Sequence, residues 1–200
     1  MRGSRWWEIG GFIAGAVLVV FGAVAIYMGV SGFTTVRDSI DQENIVFGSA
    51  DDPAVAEHAK QWAGEQVKTG EQARAFALIM REHALEASGG LTYAEMGRYV
   101  AADDPENPAG TSDPEAALED EEGNPVPNAA RNTWVTATAL STALNMSYMA
   151  EQLAIFGIVV GIALLLTGIG LVILAFAVFG RSAEATQRAR APMPTTAATA

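Results

Sequence analysis

The chain has 200 residues, half of them hydrophobic, and a formal net charge of −11. It contains no cysteine, which excludes disulfide bonds and thiolate metal sites. No nucleic-acid partner is expected of so acidic a chain.

Two long runs contain no charged residue, residues 9–30 and residues 153–180. As helices they would be about 33 and 42 Å long, against about 30 Å for the hydrocarbon core of a bilayer. A core helix of a soluble protein seldom reaches either length without a charge. We therefore predict two transmembrane helices, with the lipid bilayer as the first partner of the chain.

The first run could instead be the core of a cleaved signal peptide. A basic start at Arg2 and Arg5 and the small residues Ala23 and Ala25 would suit such a segment. That cleavage site lies inside the apolar run, however, and the run is longer than the usual signal core of about 7–15 residues. The sequence favours an uncleaved anchor.

The distribution of basic residues predicts the orientation. The short flanks of the two runs hold five arginines, Arg2, Arg5, Arg181, Arg188 and Arg190. The connecting segment, residues 31–152, holds 7 basic and 21 acidic residues, a net charge of −14. Because basic flanks stay on the cytoplasmic side, we expect both termini, residues 1–8 and 181–200, in the cytoplasm and the connecting segment outside. An exported domain without disulfides is ordinary in bacteria, so the expected location is a bacterial cell membrane.

Four stretches of the connecting segment have helical patterns, residues 33–45, 54–67, 71–87 and 92–100. Ser49 with Asp52 resembles a capping box before the second stretch, which Pro53 would open. Thr92 with Glu95 forms a similar pair at the start of the fourth. We therefore predict a small, mainly helical extracytoplasmic domain.

Residues 103–128 differ from the rest of this domain. They hold five of the eight prolines, many acids and almost no apolar residue. Such a stretch buries too little surface to offset the entropy of ordering the chain, so we predict a flexible, solvated acidic loop. Its carboxylates could bind calcium, although residues 120–124 match an EF-hand only loosely. The tail, residues 181–200, is rich in Ala, Thr and Pro and is expected to be disordered.

A helix is predicted to resume near Ala129 and to continue into the second span, because neither Gly nor Pro occurs from there to Phe156. Six residues form a heptad-like seam along its start, Ala130, Trp134, Ala137, Ser141, Leu144 and Tyr148.

In the spans, glycines at four-residue spacing would let helices approach closely, Gly11 with Gly15 and Gly157 with Gly161. We assign helix packing to these four glycines and to Trp134, Leu144 and Tyr148. The predicted fold is an all-α membrane protein, a two-helix transmembrane hairpin with a small helical domain.

The two histidines, His58 and His83, each follow a glutamate. Two imidazoles and a carboxylate could bind ferrous iron. Neighbours on a helix point about 100° apart, however, so Glu57 and His58 are not expected to share an ion. His83 and Glu86 share a helix face, but the sequence offers no further ligand there. We expect histidines on polar helix faces, and no catalytic, cofactor-binding or metal-binding residue.

Three segments resemble a known group of proteins, Arg37-Asp38 after the first span, Glu43-Asn44-Ile45-Val46, and Gly89-Gly90-Leu91-Thr92-Tyr93-Ala94-Glu95-Met96. Together with the overall plan of the chain, they resemble actinobacterial membrane proteins that have two transmembrane helices and no known function. Members of that group are often labelled aromatic ring-opening dioxygenases. Soluble enzymes of that class bind iron through histidines and a glutamate on a mixed fold, and no residue of that site has a counterpart here.

The sequence carries no nucleophile or phosphate-binding motif, and neither span has an ionisable residue in its middle. It therefore predicts a non-catalytic membrane protein that acts by binding, as an accessory or scaffold component of a cell-envelope assembly. The expected partners are other membrane proteins or further copies of the chain. Two alternatives stay open, a ring-opening enzyme with non-haem iron and an extracytoplasmic sensor, which the short cytoplasmic tail disfavours.

Overall fold

The computed structural model describes residues 2–190. Four α-helices follow one another along the chain, α1 (Arg2–Gln42), α2 (Pro53–His58), α3 (Gly70–Ala87) and α4 (Ala129–Arg190). Short 3-10 turns lie at Lys60–Trp62, Tyr93–Glu95 and Pro114–Ala116. Within residues 2–190 the remaining backbone forms no strand, only isolated antiparallel bridges. The predicted all-α class is therefore confirmed.

The chain forms two compact units. Residues 2–31 and 154–190 make up the first, which we call the helical hairpin. Gly32–Leu153 makes up the second, which we call the folded domain. Helices α1 and α4 contribute to both units, whereas α2 and α3 belong to the folded domain.

Two helices are long and apolar enough to cross a membrane, Ile9–Gln42 and Ala129–Ala177. Their most apolar windows have mean hydropathies of 2.5 and 2.8, and only 11% and 17% of those windows are buried within the protein. The core helix of a soluble protein would instead be mostly buried. Phe21 and Leu166, one on each helix, are both 63% exposed. Such helices are compatible with a membrane location with two spans.

The two helices of the hairpin meet along rows of small residues. Gly15, Gly22 and Gly29 on α1 recur every seven residues and are buried. A second buried row on α4 has the same spacing, Ala154, Gly161, Gly168 and Ala175. A Cβ atom added at Gly22 would lie 2.7 Å from the carbonyl oxygen of Gly161, closer than real Cβ atoms come. Gly15 meets Gly168 and Gly29 meets Ala154, so the two helices run antiparallel with their backbones in contact.

These rows differ in part from the predicted packing glycines. Gly15 and Gly161 belong to them, and a Cβ added at Gly157 would lie 3.8 Å from the Cα atom of Gly29. Gly11 lies outside these rows, because no atom in the described part of the chain lies within 4 Å of a Cβ added there. A seven-residue step returns to within about 20° of the same helix face, whereas a four-residue step departs from it by about 40°. The contact between the two helices of the hairpin therefore follows the seven-residue spacing.

Replacing Gly22 by isoleucine is expected to destabilise the hairpin, because the new side chain would meet the backbone of Leu165 and Gly161. Overpacking of this kind typically costs about 1–3 kcal/mol. Thermal unfolding of the full-length protein in detergent should show a lower midpoint for Gly22→Ile than for the unchanged protein. Gly11→Ile is the matched control. An equal decrease of the unfolding midpoint in both variants would contradict the assignment of Gly22 to the contact between the two helices.

The core of the folded domain takes side chains from every helix. Ile40, Val55, Ile79 and Leu144, one from each of the four helices, are at most 8% exposed. Phe47, from the segment after α1, is buried among them. The predicted packing residue Leu144 therefore lies in the main core of this domain.

A second cluster forms where the start of α4 packs on the end of α3. Trp134, which is 6% exposed, belongs to one apolar cluster with Ala84 of α3 and Met96. Two turns further along α4, the Ser141 hydroxyl donates a hydrogen bond of 3.3 Å to the carbonyl oxygen of Ala77. The face of α4 predicted as a heptad-like seam is thus turned towards α3.

Helix α2 is shorter than predicted, because it ends at His58 instead of residue 67. Ala59 leaves the helical conformation with a φ of −147°. The backbone N–H of Val67 then donates to the carbonyl oxygen of Ile45 at 2.8 Å, which pairs this segment with the chain after α1. Val67 is fully buried as a result. Long-range pairing and burial outweigh the local helix propensity here.

Residues 92–100 form one 3-10 turn at Tyr93–Glu95 and not the predicted helix. Thr92 and Glu95 do make the predicted capping box. Beyond that turn the chain is not helical, and Tyr99 exchanges backbone hydrogen bonds of 2.9 and 2.8 Å with Thr111. Backbone pairing with a distant segment again replaces the helix.

Most side chains of residues 103–128 are exposed, in agreement with their composition, but the backbone of this acidic segment is paired. The N–H of Val126, for example, donates to the carbonyl oxygen of Leu118 at 2.7 Å. Asn128 is 4% exposed, and its side-chain amide donates to the carbonyl oxygen of Pro108 at 2.9 Å. Its side-chain oxygen accepts hydrogen bonds from the first amides of α4. Asn128 thus caps α4 and fixes the path of the acidic segment.

Helix α4 is uninterrupted from Ala129 to Arg190. It continues past Gly180, where the sequence predicted that a disordered tail would begin. Eight of residues 181–190 are Ala, Arg, Glu or Gln, which favour helix, and the segment includes neither Gly nor Pro. The remainder of the predicted tail, residues 191–200, lies outside the described residues.

Candidate functional site

A buried carboxylate joins three helices of the folded domain. Glu151 on α4 is 4% exposed, and its Oε1 atom accepts a hydrogen bond of 2.9 Å from Nη2 of Arg37 on α1. Its Oε2 atom accepts a hydrogen bond from the backbone N–H of Gly70, the first residue of α3. The carboxylate therefore pairs with a cation and satisfies one of the amides that a helix N-terminus leaves without a partner.

The close approach of α3 to α4 requires glycine at position 70. A Cβ atom added to Gly70 would lie 2.8 Å from Oε2 of Glu151 and 2.9 Å from the Cα atom of Tyr148. One turn further along α3, the guanidinium of Arg74 lies 4.9 Å from the centre of the Tyr148 ring. Tyr148, predicted as a packing residue, thus contacts α3 beside the buried carboxylate.

Both histidines pair with carboxylates between α2 and α3. The Nε2 atom of His58 lies 3.1 Å from Oε2 of Glu82, and that of His83 lies 3.0 Å from Oδ2 of Asp52. The side chain of His58 is 23% exposed and that of His83 is 47% exposed. Two successive residues of α3 therefore hold the two ends of the short helix α2.

The pKa of the Asp52 carboxyl group lies below its ordinary value. Partial desolvation raises the pKa, but hydrogen bonds from His83 and from the backbone amides of Ala54 and Val55 together lower it by more. These two amides belong to the first turn of α2, so the ionised form of Asp52 is the form that caps the helix.

Carboxylates in the acidic segment are engaged by their own turns. The backbone amide of Asn124 is the main cause of a lowered pKa at Asp120, with a further contribution from the amide of Glu122. Asp113 likewise accepts a hydrogen bond of 3.0 Å from the amide of Glu115. These contacts give the segment its local geometry.

Glu57 completes a cluster with His58 and Glu82. One nitrogen or oxygen atom from each of the three side chains lies within 4.8 Å of the other two. Neighbours on a helix do diverge by about 100°, but these side chains are long enough to converge on the glutamate that α3 supplies. The structure therefore brings Glu57 and His58 together at one glutamate of α3, and whether the two share an ion stays a prediction. In the part of the chain that the structure describes, this is the one group that could hold a metal ion.

An apolar groove of about 630 Å³ lies in the folded domain between α1, α3 and α4. Its walls include the apolar side chains of Ile45, Val46, Phe76, Met80, Leu140 and Ala143. Val46 is 55% exposed and Leu140 is 50% exposed, so the groove is open to a ligand. Glu43 adds a negative charge to the lining.

Sequence reasoning missed Glu151, Asn128 and the seven-residue spacing of the glycines, although each left a signal. Glu151 is the one charged residue in residues 132–180. A single acid in so long an apolar helix indicates a specific partner. Asn128 directly precedes a helix, where asparagine is a favoured cap. The glycines of α1 repeat at a period of seven as well as four.

Comparison of the chain with protein-family models, with curated proteins and with solved structures gave no match. The resemblance to the actinobacterial group therefore stays a prediction.

Glu151→Ala is expected to loosen the folded domain, because it leaves the Arg37 charge unpaired and the Gly70 amide without an acceptor. An unsatisfied buried donor costs about 1–3 kcal/mol. Limited proteolysis of the full-length protein should therefore cut the folded domain faster. Glu151→Gln keeps an oxygen acceptor for the amide and should have a smaller effect. Gln152→Ala changes an exposed neighbour, and faster cutting to the same extent in this control would contradict the assignment.

Proposed function

We propose that this chain is a non-catalytic protein of a bacterial cell membrane that acts by binding another protein. It serves as an accessory or scaffold component of a cell-envelope assembly. The observation that carries the proposal is the open apolar groove between α1, α3 and α4. A groove of this kind in a domain connected to two apolar helices supplies a binding surface fixed to a membrane.

Exposed apolar residues along both helices of the hairpin support the membrane location. The arginines that flank the two uncharged runs support cytoplasmic termini, and the acidic segment between the runs supports an outer location for the folded domain. We also propose, from the segments quoted above, that the chain is related to the actinobacterial proteins with two transmembrane helices.

The occupant that we infer for the groove is an amphipathic helix of a partner protein. Helices bind in apolar grooves through side chains spaced three or four residues apart. Side chains from three helices, α1, α3 and α4, line this groove. Met80 adds a flexible, polarisable side chain that adapts to different apolar surfaces.

Charge indicates the character of that helix. The folded domain holds 7 basic and 21 acidic residues, and Glu43 lies in the lining of the groove. A partner helix with a basic polar face is electrostatically complementary to this domain. Such complementarity accelerates association at low ionic strength and is screened by salt.

Reporter fusions test the orientation. An alkaline phosphatase that is active only after export should be active when fused after Ala109, in the folded domain, and inactive when fused after Ala200. Activity at Ala200, or its absence at Ala109, would overturn the proposed orientation.

Site-specific crosslinking in cells tests the groove. A photoreactive amino acid at position 140 should crosslink to a basic amphipathic segment of a membrane-associated protein, which mass spectrometry of the adduct identifies. Position 135 is the matched control, because Val135 is also half exposed on α4 (48% against 50% for Leu140) but does not line the groove.

Each result decides for or against the groove as the binding surface. An adduct specific to position 140 whose yield falls as salt is raised supports the proposal. Adducts with lipid alone, with a second copy of this chain, or with the same protein at both positions would contradict it.

A further inference from the structure

We propose that Glu57, His58 and Glu82 form a binding site for a divalent transition-metal ion, of which Zn²⁺ fits best. The site lies between the last turn of α2 and the second half of α3. It shares no residue with the apolar groove and does not depend on the function proposed for it.

The spacing of the ligand atoms suits a single ion. Nε2 of His58 and Oε2 of Glu82 are 3.1 Å apart. Two ligands of a tetrahedral zinc ion, each about 2.1 Å from the metal, lie about 3.4 Å from one another. An oxygen atom of Glu57 completes a triangle with no edge above 4.8 Å. Because Glu57 is exposed, a change of rotamer can shorten its two edges without disturbing the core.

The local charge also favours a cation. Two carboxylates at this distance repel one another unless a proton or a positive charge lies between them. Among the described residues, no Lys or Arg forms an ion pair with Glu57 or Glu82, and Glu82 pairs with His58. A divalent ion would balance both carboxylates while the imidazole binds it in the neutral form.

The chemistry of the ligands points to zinc ahead of the lighter alkaline-earth ions. Imidazole nitrogen suits zinc, copper, nickel and iron, whereas magnesium and calcium prefer a shell made of oxygen alone. One histidine and two glutamates supply three ligands of the tetrahedral shell that zinc prefers, and water can take the fourth position.

The ion would fasten α2 to α3. Helix α2 has six residues, and its first end is held by the contact of Asp52 with His83. At its last turn, a metal ion would replace the hydrogen bond between His58 and Glu82 with coordination bonds to both residues and to Glu57. A ligand that binds only the folded form stabilises it by mass action, so zinc should raise the stability of the folded domain.

Zinc titration of the full-length protein tests the site. The protein is purified in detergent without a histidine tag, stripped with a chelator and titrated with ZnCl₂ in a calorimeter, and its thermal unfolding is recorded with and without the ion. We expect one ion per chain and a higher unfolding midpoint with zinc but not with the same concentration of MgCl₂. His58→Ala should weaken binding by about tenfold or more, since even residues that only support a metal ligand cost about 10–100-fold when removed.

His83→Ala is the matched control, because it removes the other histidine–carboxylate contact between the same two helices and should leave zinc affinity unchanged. Glu82→Gln keeps the shape of the side chain and should weaken binding as His58→Ala does, which covers the case in which His58→Ala fails to fold. The proposal is overturned if no stoichiometric zinc binds, if Glu82→Gln binds as tightly as the unchanged protein, or if His83→Ala loses affinity equally.

Discussion

The burial of one negative charge determines how three helices of the folded domain, α1, α3 and α4, align. A carboxylate removed from water is unfavourable unless it is paired and hydrogen-bonded, and Glu151 finds both partners on other helices, Arg37 and the Gly70 amide. The alignment that satisfies it also sets the core. Ile40 lies one turn beyond Arg37, and Leu144 lies two turns before Glu151, so both enter the same cluster. The polar contacts of Glu151 and the apolar packing of the core therefore specify the same register of these helices against one another.

Features that depend on neighbouring residues could be predicted from the sequence. The two apolar helices follow from the absence of charge over long runs, and α3 follows from an apolar face bounded by Thr69 and Ser88. The uninterrupted α4 follows from the lack of Gly and Pro at its start. In each case the decisive information lies within one helix, where spacing and propensity act directly.

Features that depend on distant segments could not be predicted in this way. The early end of α2 depends on the pairing of Val67 with Ile45, and the missing helix after Glu95 depends on the pairing of Tyr99 with Thr111. The cluster around His58 could not be predicted for the same reason, since its third member, Glu82, belongs to another helix. The spacing of residues along one helix predicts which of its side chains point in different directions. It contains no information about side chains that another helix places beside them.

The rows of small residues in the hairpin form a sequence pattern that depends on the spacing of these residues and not on the overall composition. Many residues can replace one another on the outer, lipid-compatible faces of such helices, because any apolar side chain satisfies them. Gly22 and Gly161 tolerate no such exchange, since even one added carbon meets the opposing backbone. Distant relatives that retain this hairpin would therefore differ almost everywhere in their apolar runs yet share two facing series of small residues at a period of seven. A seven-residue period on both helices also specifies a left-handed supercoil. The positions of the small residues therefore determine the handedness of the helix pair.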